Sequence, residues 1–137
     1  MIVGVFGSEY QVEKESQIRR IFSKLEQLEA TVYVDALFAN FIEDAFDFRP
    51  TISGLITDVL PQVDVVLSVG GDGTFLRTAT RIGKLGIPIL GINTGRLGFL
   101  ADVSSYEIED TLEELFKNYY KIEERTLLKV ESQDHAI

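Results

Sequence analysis

Residues 65–74, Val65-Val66-Leu67-Ser68-Val69-Gly70-Gly71-Asp72-Gly73-Thr74, decide the fold. A run of five that is almost wholly apolar and mostly β-branched has the composition of a strand buried on both faces, as in the middle of a parallel sheet. It passes without a spacer into a glycine-rich turn. Phe75, Leu76, Ala79 and Ile82 then recur at helical spacing and are expected on the inner face of a helix. The pattern soon repeats: Pro88-Ile89-Leu90-Gly91-Ile92 is a second buried strand, and it too enters a glycine-rich turn, Asn93-Thr94-Gly95-Arg96-Leu97-Gly98-Phe99.

Working outward, Ile2 to Phe6 form a short apolar strand ending at Gly7-Ser8. Val12, Ile18, Ile21, Phe22, Leu25 and Leu28 follow at spacings of three and four among charged residues, which predicts a half-buried helix. Thr31 to Val34 return to strand composition. Over 36–62, Phe38, Phe41, Phe46 and Phe48 show no clean period and Pro50 interrupts them, so helix and variable loop are expected. Toward the other end, Ser104 and Ser105 offer an N-cap for a helix with Ile108, Leu112, Leu115, Phe116 and Tyr119 inward. The acidic run Glu107, Glu109, Asp110, Glu113 and Glu114 is expected on its wet face. Strands alternating with amphipathic helices give an α/β fold class: a Rossmann-like, mostly parallel sheet with helices on both faces. Residues 1–125 are expected to form this domain. From Arg125 onward Leu127, Leu128 and Val130 start a new strand, so 126–137 are expected to open a second domain.

Bulk properties narrow the function. A chain of 137 residues suits one core, and a net charge of −9 from 22 acidic and 13 basic side chains argues against nucleic acid as a partner. The absence of cysteine and the single His leave few transition-metal ligands and suggest a reducing setting. With no basic segment ahead of the first apolar run, and no run approaching the roughly 18 apolar residues of a membrane span, we expect a soluble, cytoplasmic protein and no membrane partner.

Two consecutive strands ending in glycine turns are the informative feature, because ligands of open α/β sheets bind beyond the carboxyl ends of strands. Gly70, Gly71 and Gly73 let the backbone approach a phosphate, and the start of the following helix adds partial positive charge. Two better-known loops do not apply. A dinucleotide fingerprint from Gly71 would need a third glycine where Leu76 stands, and Gly83-Lys84 is followed by Leu85, with Thr78 at the first glycine position of a P-loop. Taken alone, Gly-Asp-Gly-Thr would be a tight turn with Asp72 or Thr74 capping the helix. Yet a carboxylate inside an anion-binding loop opposes anion binding unless it has a task, such as orienting a hydroxyl nucleophile or holding Mg²⁺.

Val69 to Leu76, Val-Gly-Gly-Asp-Gly-Thr-Phe-Leu, followed by Gly91 to Asp102, Gly-Ile-Asn-Thr-Gly-Arg-Leu-Gly-Phe-Leu-Ala-Asp, resembles the paired signature of NAD kinases. The first block is shared with diacylglycerol and sphingosine kinases and more loosely with phosphofructokinases; the second is far more specific. The resemblance implies a phosphotransferase that converts NAD to NADP at the 2′-hydroxyl of the adenosine ribose. ATP or polyphosphate would be the donor and Mg²⁺ or another divalent metal the cofactor. It also implies a following all-β domain with an Asn-Glu pair for the ribose; no Asn-Glu dipeptide occurs in these 137 residues, and on this reading the chain alone is not expected to turn over.

By the resemblance, Asp72 accepts or orients the hydroxyl proton, Gly73 lies against NAD through its backbone, and Phe99 is similar to an aromatic lining the adenine pocket. Gly71, Thr74, Asn93 and Gly95 complete the expected binding loops. Arg77 and Arg96 are read as the only cations beside the loops, suited to pyrophosphate or the new 2′-phosphate. An unpaired apolar strand after Arg125 would favour self-association, so a homo-oligomer is expected. Two other readings compete: a lipid kinase of the same superfamily, which would keep Asp72 but accept a long-chain alcohol, and a non-catalytic nucleotide-binding module.

Overall fold

Apolar β-branched strands need partners on both edges and helices on both faces, and the computed structural model, which describes residues 1–9, 11–94 and 107–117, shows how these are supplied. The elements are β1 (Ile2–Gly7), a single 3₁₀ turn (Val12–Lys14), α1 (Glu15–Gln27), β2 (Thr31–Asp35), α2 (Ala36–Phe46), β3 (Gly54–Ile56), β4 (Val65–Gly70), α3 (Asp72–Ile82), β5 (Ile89–Asn93) and α4 (Ile108–Lys117). Among the described residues five strands form one sheet in the order β3-β2-β1-β4-β5, and every pairing between them is parallel. From β1 the chain winds outward through β2 to β3, then returns to β4 on the other side of β1 and winds outward to β5. The winding direction therefore reverses between β1 and β4, where parallel α/β sheets open a crevice at their carboxyl ends.

Strand alternation sends Val3, Val5, Val65, Leu67, Val69, Leu90 and Ile92 to one face, where they pack with α1, α2 and α4. Phe6 and Val66 point to the other face and pack with Ile82 of α3. Gly7, on the first face, is required by packing: a Cβ there would overlap the ring of Phe38, which is wholly buried.

Several sequence expectations need correction. Val12 precedes α1, in the 3₁₀ turn, and is exposed. The inner face of α3 is Thr74, Thr78 and Ile82, whereas Leu76 is exposed and Phe75 and Ala79 are half-buried. The reason is polar: Ser68 on β4 faces α3, its Oγ lies 3.1 Å from the Thr78 hydroxyl, and that hydroxyl donates to the Thr74 carbonyl at 2.8 Å. Hydroxyls packed in this column satisfy one another, so apolar residues are not needed there. β3 falls within the stretch expected as helix and loop. The proposed caps Ser104 and Ser105, Tyr119 and the boundary near Arg125 lie outside the described residues.

The acidic run at α4 is more than a wet face. Glu109 receives two hydrogen bonds from the Arg20 guanidinium, 2.8 and 2.6 Å, and Glu113 receives one from Lys24 Nζ at 2.5 Å, so α4 is tied to α1 along its length. The Arg20 guanidinium holds the Glu109 carboxyl below its ordinary range, and Lys24 does the same for Glu113. Carboxylates lowered in this way stabilise the fold above their ordinary range, and the contribution is lost as pH falls through the lowered folded values. Both are well exposed, so the effect is modest. Glu109→Gln is expected to lower the melting temperature at pH 7, through a loss of about 0.2–1 kcal/mol, and the gap to the wild type should close by pH 3. Melts at the two pH values showing a constant gap would mean that the pair does not hold α4 to α1.

Candidate functional site

The crevice at the switch point is built from three strand ends. β1 ends at Gly7 and leads to Ser8; β4 ends at Gly70 and turns through Gly71 into α3; β5 ends at Asn93, paired in register with Gly70, and leads to Thr94. The two glycine turns found in the sequence thus begin side by side, and Thr94 N–H donates to the Gly70 carbonyl at 3.2 Å.

The β4–α3 turn is shaped by its glycines. Gly70 adopts φ 154°, a conformation that L side chains rarely take, and a Cβ there would stand 2.6 Å from the Thr74 hydroxyl. Gly71 holds the N-cap position with extended backbone and nothing within 4 Å of where a Cβ would project, so open space lies against the turn. Neither Asp72 nor Thr74 occupies the N-cap position: Gly71 does, and Asp72 is the first residue of α3. The first-turn N–H groups of α3 carry the positive end of the helix dipole.

Asp72 is half-buried and Gly73 exposed. Thr74 is buried, and its hydroxyl accepts from the Arg77 guanidinium at 3.3 Å. Arg77, one turn into α3, is exposed and lines a cleft of about 270 Å³ with Glu9, Asp35 and Arg81. A second cavity, of about 180 Å³, opens at the switch point itself between Ser8, Gln11, Glu13, Lys14, Gly70, Gly71 and Thr94. Gly71, Asp72, Gly73, Thr74, Arg77 and Asn93 therefore lie at one end of the sheet. Gly95, Arg96 and Phe99 lie outside the described residues.

Sequence reasoning overlooked Lys14 as a cation beside the loops, and Arg81 beside Arg77. It also overlooked Gln11, 4 % exposed. A polar residue shortly after an apolar strand was a signal available for it, but glutamine there is ordinarily solvated. No set of three or more His, Asp or Glu side chains poised for a metal occurs among the described residues. Nor, among them, is any helix long and apolar enough to cross a membrane.

A doubly wound parallel sheet with a glycine turn at its switch point defines a Rossmann-like α/β domain. The family model described as the ATP-NAD kinase N-terminal domain matches residues 3–120, and the chain belongs to that family. It is 44% identical over 134 residues to an NAD kinase of Bacteroides fragilis, covering 98% of this chain and 46% of that protein. With an NAD kinase of Porphyromonas gingivalis it shares 44% identity over 129 residues, 93% of this chain and 44% of the other. The fold matches a yeast NADH kinase crystallised with NADH at a TM-score of 0.73 and 22% identity, covering 87% of this chain and 38% of that one. The chain thus spans less than half the length of these relatives.

Proposed function

We propose that the full-length protein is an NAD kinase, transferring a phosphoryl group from ATP or polyphosphate to the 2′-hydroxyl of the adenosine ribose of NAD to give NADP. The observation that supports this best is the pairing of Gly70 with Asn93, which sets the glycine turn carrying Asp72 beside the strand end where the second glycine-rich stretch of the sequence starts. In this reading Gly71, Gly73 and Thr74 hold phosphate or ribose through the α3 start, and Asn93, Gly95, Arg96 and Phe99 contribute from the second loop. Asp72 orients the acceptor hydroxyl in line with the donor. Phosphoryl transfer through a loose transition state needs little early deprotonation, so positioning outweighs basicity.

A divalent cation such as Mg²⁺ fits this reading in a limited way. Mg²⁺ is commonly held by one or two carboxylates with substrate phosphates completing its shell, and Asp72 is a carboxylate at the loop. Bound there, it would neutralise charge on the phosphates. A cytoplasmic location and self-association belong to the same reading. The test is to supply the full-length protein with NAD, ATP and Mg²⁺ and measure NADP, with a diacylglycerol as competing acceptor and light scattering for mass. Phosphorylation of the lipid in place of NAD would overturn the assignment.

Arg77 is exposed at the rim of the turn, with its guanidinium held toward Thr74. Arg77→Ala in the full-length protein is expected to weaken NAD or NADP binding by about 1.5–3 kcal/mol, the range for a hydrogen bond to a charged group. Calorimetry on the folded variant showing unchanged affinity for both ligands would make Arg77 a surface residue.

A further inference from the structure

One side chain touches all three strand ends at the switch point. Gln11 Nε2 donates to the Ser8 carbonyl at 2.8 Å and to the Val69 carbonyl at 3.2 Å, and Gln11 Oε1 accepts from the Thr94 hydroxyl. Two carbonyl oxygens can be met only by a donor, which fixes the orientation of the amide and leaves its oxygen to Thr94. Backbone bonds run alongside, from Ser8 N–H to the Val69 carbonyl and from Thr94 N–H to the Gly70 carbonyl. Gln11 and Thr94 are each 4 % exposed. A buried amide with donor and acceptor ends both engaged is costly to replace, since its loss breaks the side-chain link between the three strand ends.

We infer that Gln11 is a positioning residue that clamps the turn after β4 to Thr94 at the end of β5, holding the roots of the two glycine-rich loops at a fixed separation. Val69 is the residue before Gly70, and Thr94 follows Asn93, so the clamp grips each loop at its root. Glutamine suits the position because it presents two donors to one side and an acceptor to the other. Glutamate would turn a negative oxygen toward two carbonyls, and alanine would leave both carbonyls and the Thr94 hydroxyl without this partner. The catalytic consequence rests on the kinase reading; the clamp itself does not. If the loops hold donor and acceptor, a change in their separation misplaces the reacting groups while leaving each loop able to bind.

The experiment uses full-length wild type, Gln11→Ala, Gln11→Glu and Thr94→Val, each checked for folding by circular dichroism. Gln11→Ala is expected to lower kcat per folded molecule by about ten- to a hundredfold, as a misplacement of about 1 Å does, with KM for NAD changed less. For Gln11→Glu the ratio of its kcat to that of the wild type should rise as pH falls, because the protonated carboxyl is neutral and donates again, whereas the Gln11→Ala ratio should stay flat. A kcat of Gln11→Ala near that of the wild type, or a flat ratio for Gln11→Glu, overturns the inference. Should Gln11→Ala fail to fold, Thr94→Val, which removes only the arm to the second loop, must still lower kcat; a normal value overturns it. Wild type that makes no NADP overturns the kinase reading alone. The clamp is then judged by amide hydrogen exchange over residues 70–75 and 94, which should quicken in Thr94→Val relative to the core of β4, and unchanged exchange overturns it.

Discussion

Asp72→Asn in the full-length protein is expected to lower kcat for NADP formation by a hundredfold or more, the order for losing a positioned base, with NAD affinity changed far less. Asp72 opens α3 directly after the extended Gly71, at the carboxyl end of a strand whose six residues are all buried. An acid there has a structural benefit of its own, because a carboxylate in the first turn of a helix complements the dipole by about 0.3–1 kcal/mol. Asparagine keeps the shape and much of that benefit, so the melting temperature should move little. The same carboxylate works against a phosphate bound at the helix start, and that conflict is what a role toward a hydroxyl resolves. Stability and turnover therefore separate the two explanations. A variant that melts slightly lower and keeps a near-normal kcat would leave Asp72 as a helix-start residue and remove it from the chemistry.

Much of this was legible in the sequence because it depends on local pattern. The runs around Val3, Val32, Val66 and Leu90 are too apolar to be anything but buried, and all four became parallel strands. The first glycine turn was legible for the same reason, since a strand ending in Gly70-Gly71 has few alternatives. What could not be read depends on partners distant in the chain. α2 does carry a helical repeat, Phe38, Ile42 and Phe46, all buried. It was hidden because Phe41 is also aromatic and packs edge-on to Phe46 at 5.3 Å, so the stripe looked irregular. β3 is three residues long with only Ile56 buried, too short to show a period. On α3 the hydroxyl column of Thr74 and Thr78 inverted the expected face, since apolar residues are a good guide to burial only where polar ones lack partners. At the site, the position of Gly70, Gly71 and Asp72 at a strand end follows from local sequence, whereas the contacts of Gln11 depend on Val69 and Thr94, 58 and 83 residues away.

Gly70→Ala should be the most disruptive change in the loop, and Gly71→Ala beside it the most informative. At Gly70 an added methyl meets two penalties. The φ of 154° is strained for an L residue, at about 1–3 kcal/mol, and the Cβ would press on the Thr74 side chain, with its hydroxyl at 2.6 Å and Cβ at 3.0 Å, at about 1–3 kcal/mol more. Thr74 cannot readily withdraw, because it is buried, and its carbonyl receives the Thr78 hydroxyl that also meets Ser68. A loss of roughly 2–6 kcal/mol, the sum of those two ranges, is therefore expected, together with loss of turnover as the turn rearranges. Gly71 differs on both counts: its φ of −109° suits any residue, and no atom lies within 4 Å of the position a Cβ would take. Gly71→Ala should accordingly leave the melting temperature within a few degrees of the wild type. If the open space beside Gly71 is where a phosphate or ribose approaches the backbone, the methyl would fill it, and NAD or ATP affinity should fall by tenfold or more, about 1.4 kcal/mol. Thermal melts and calorimetry on the two variants distinguish the possibilities. Gly71→Ala that is both stable and normal in ligand binding would show that this turn shapes the fold without touching the substrate.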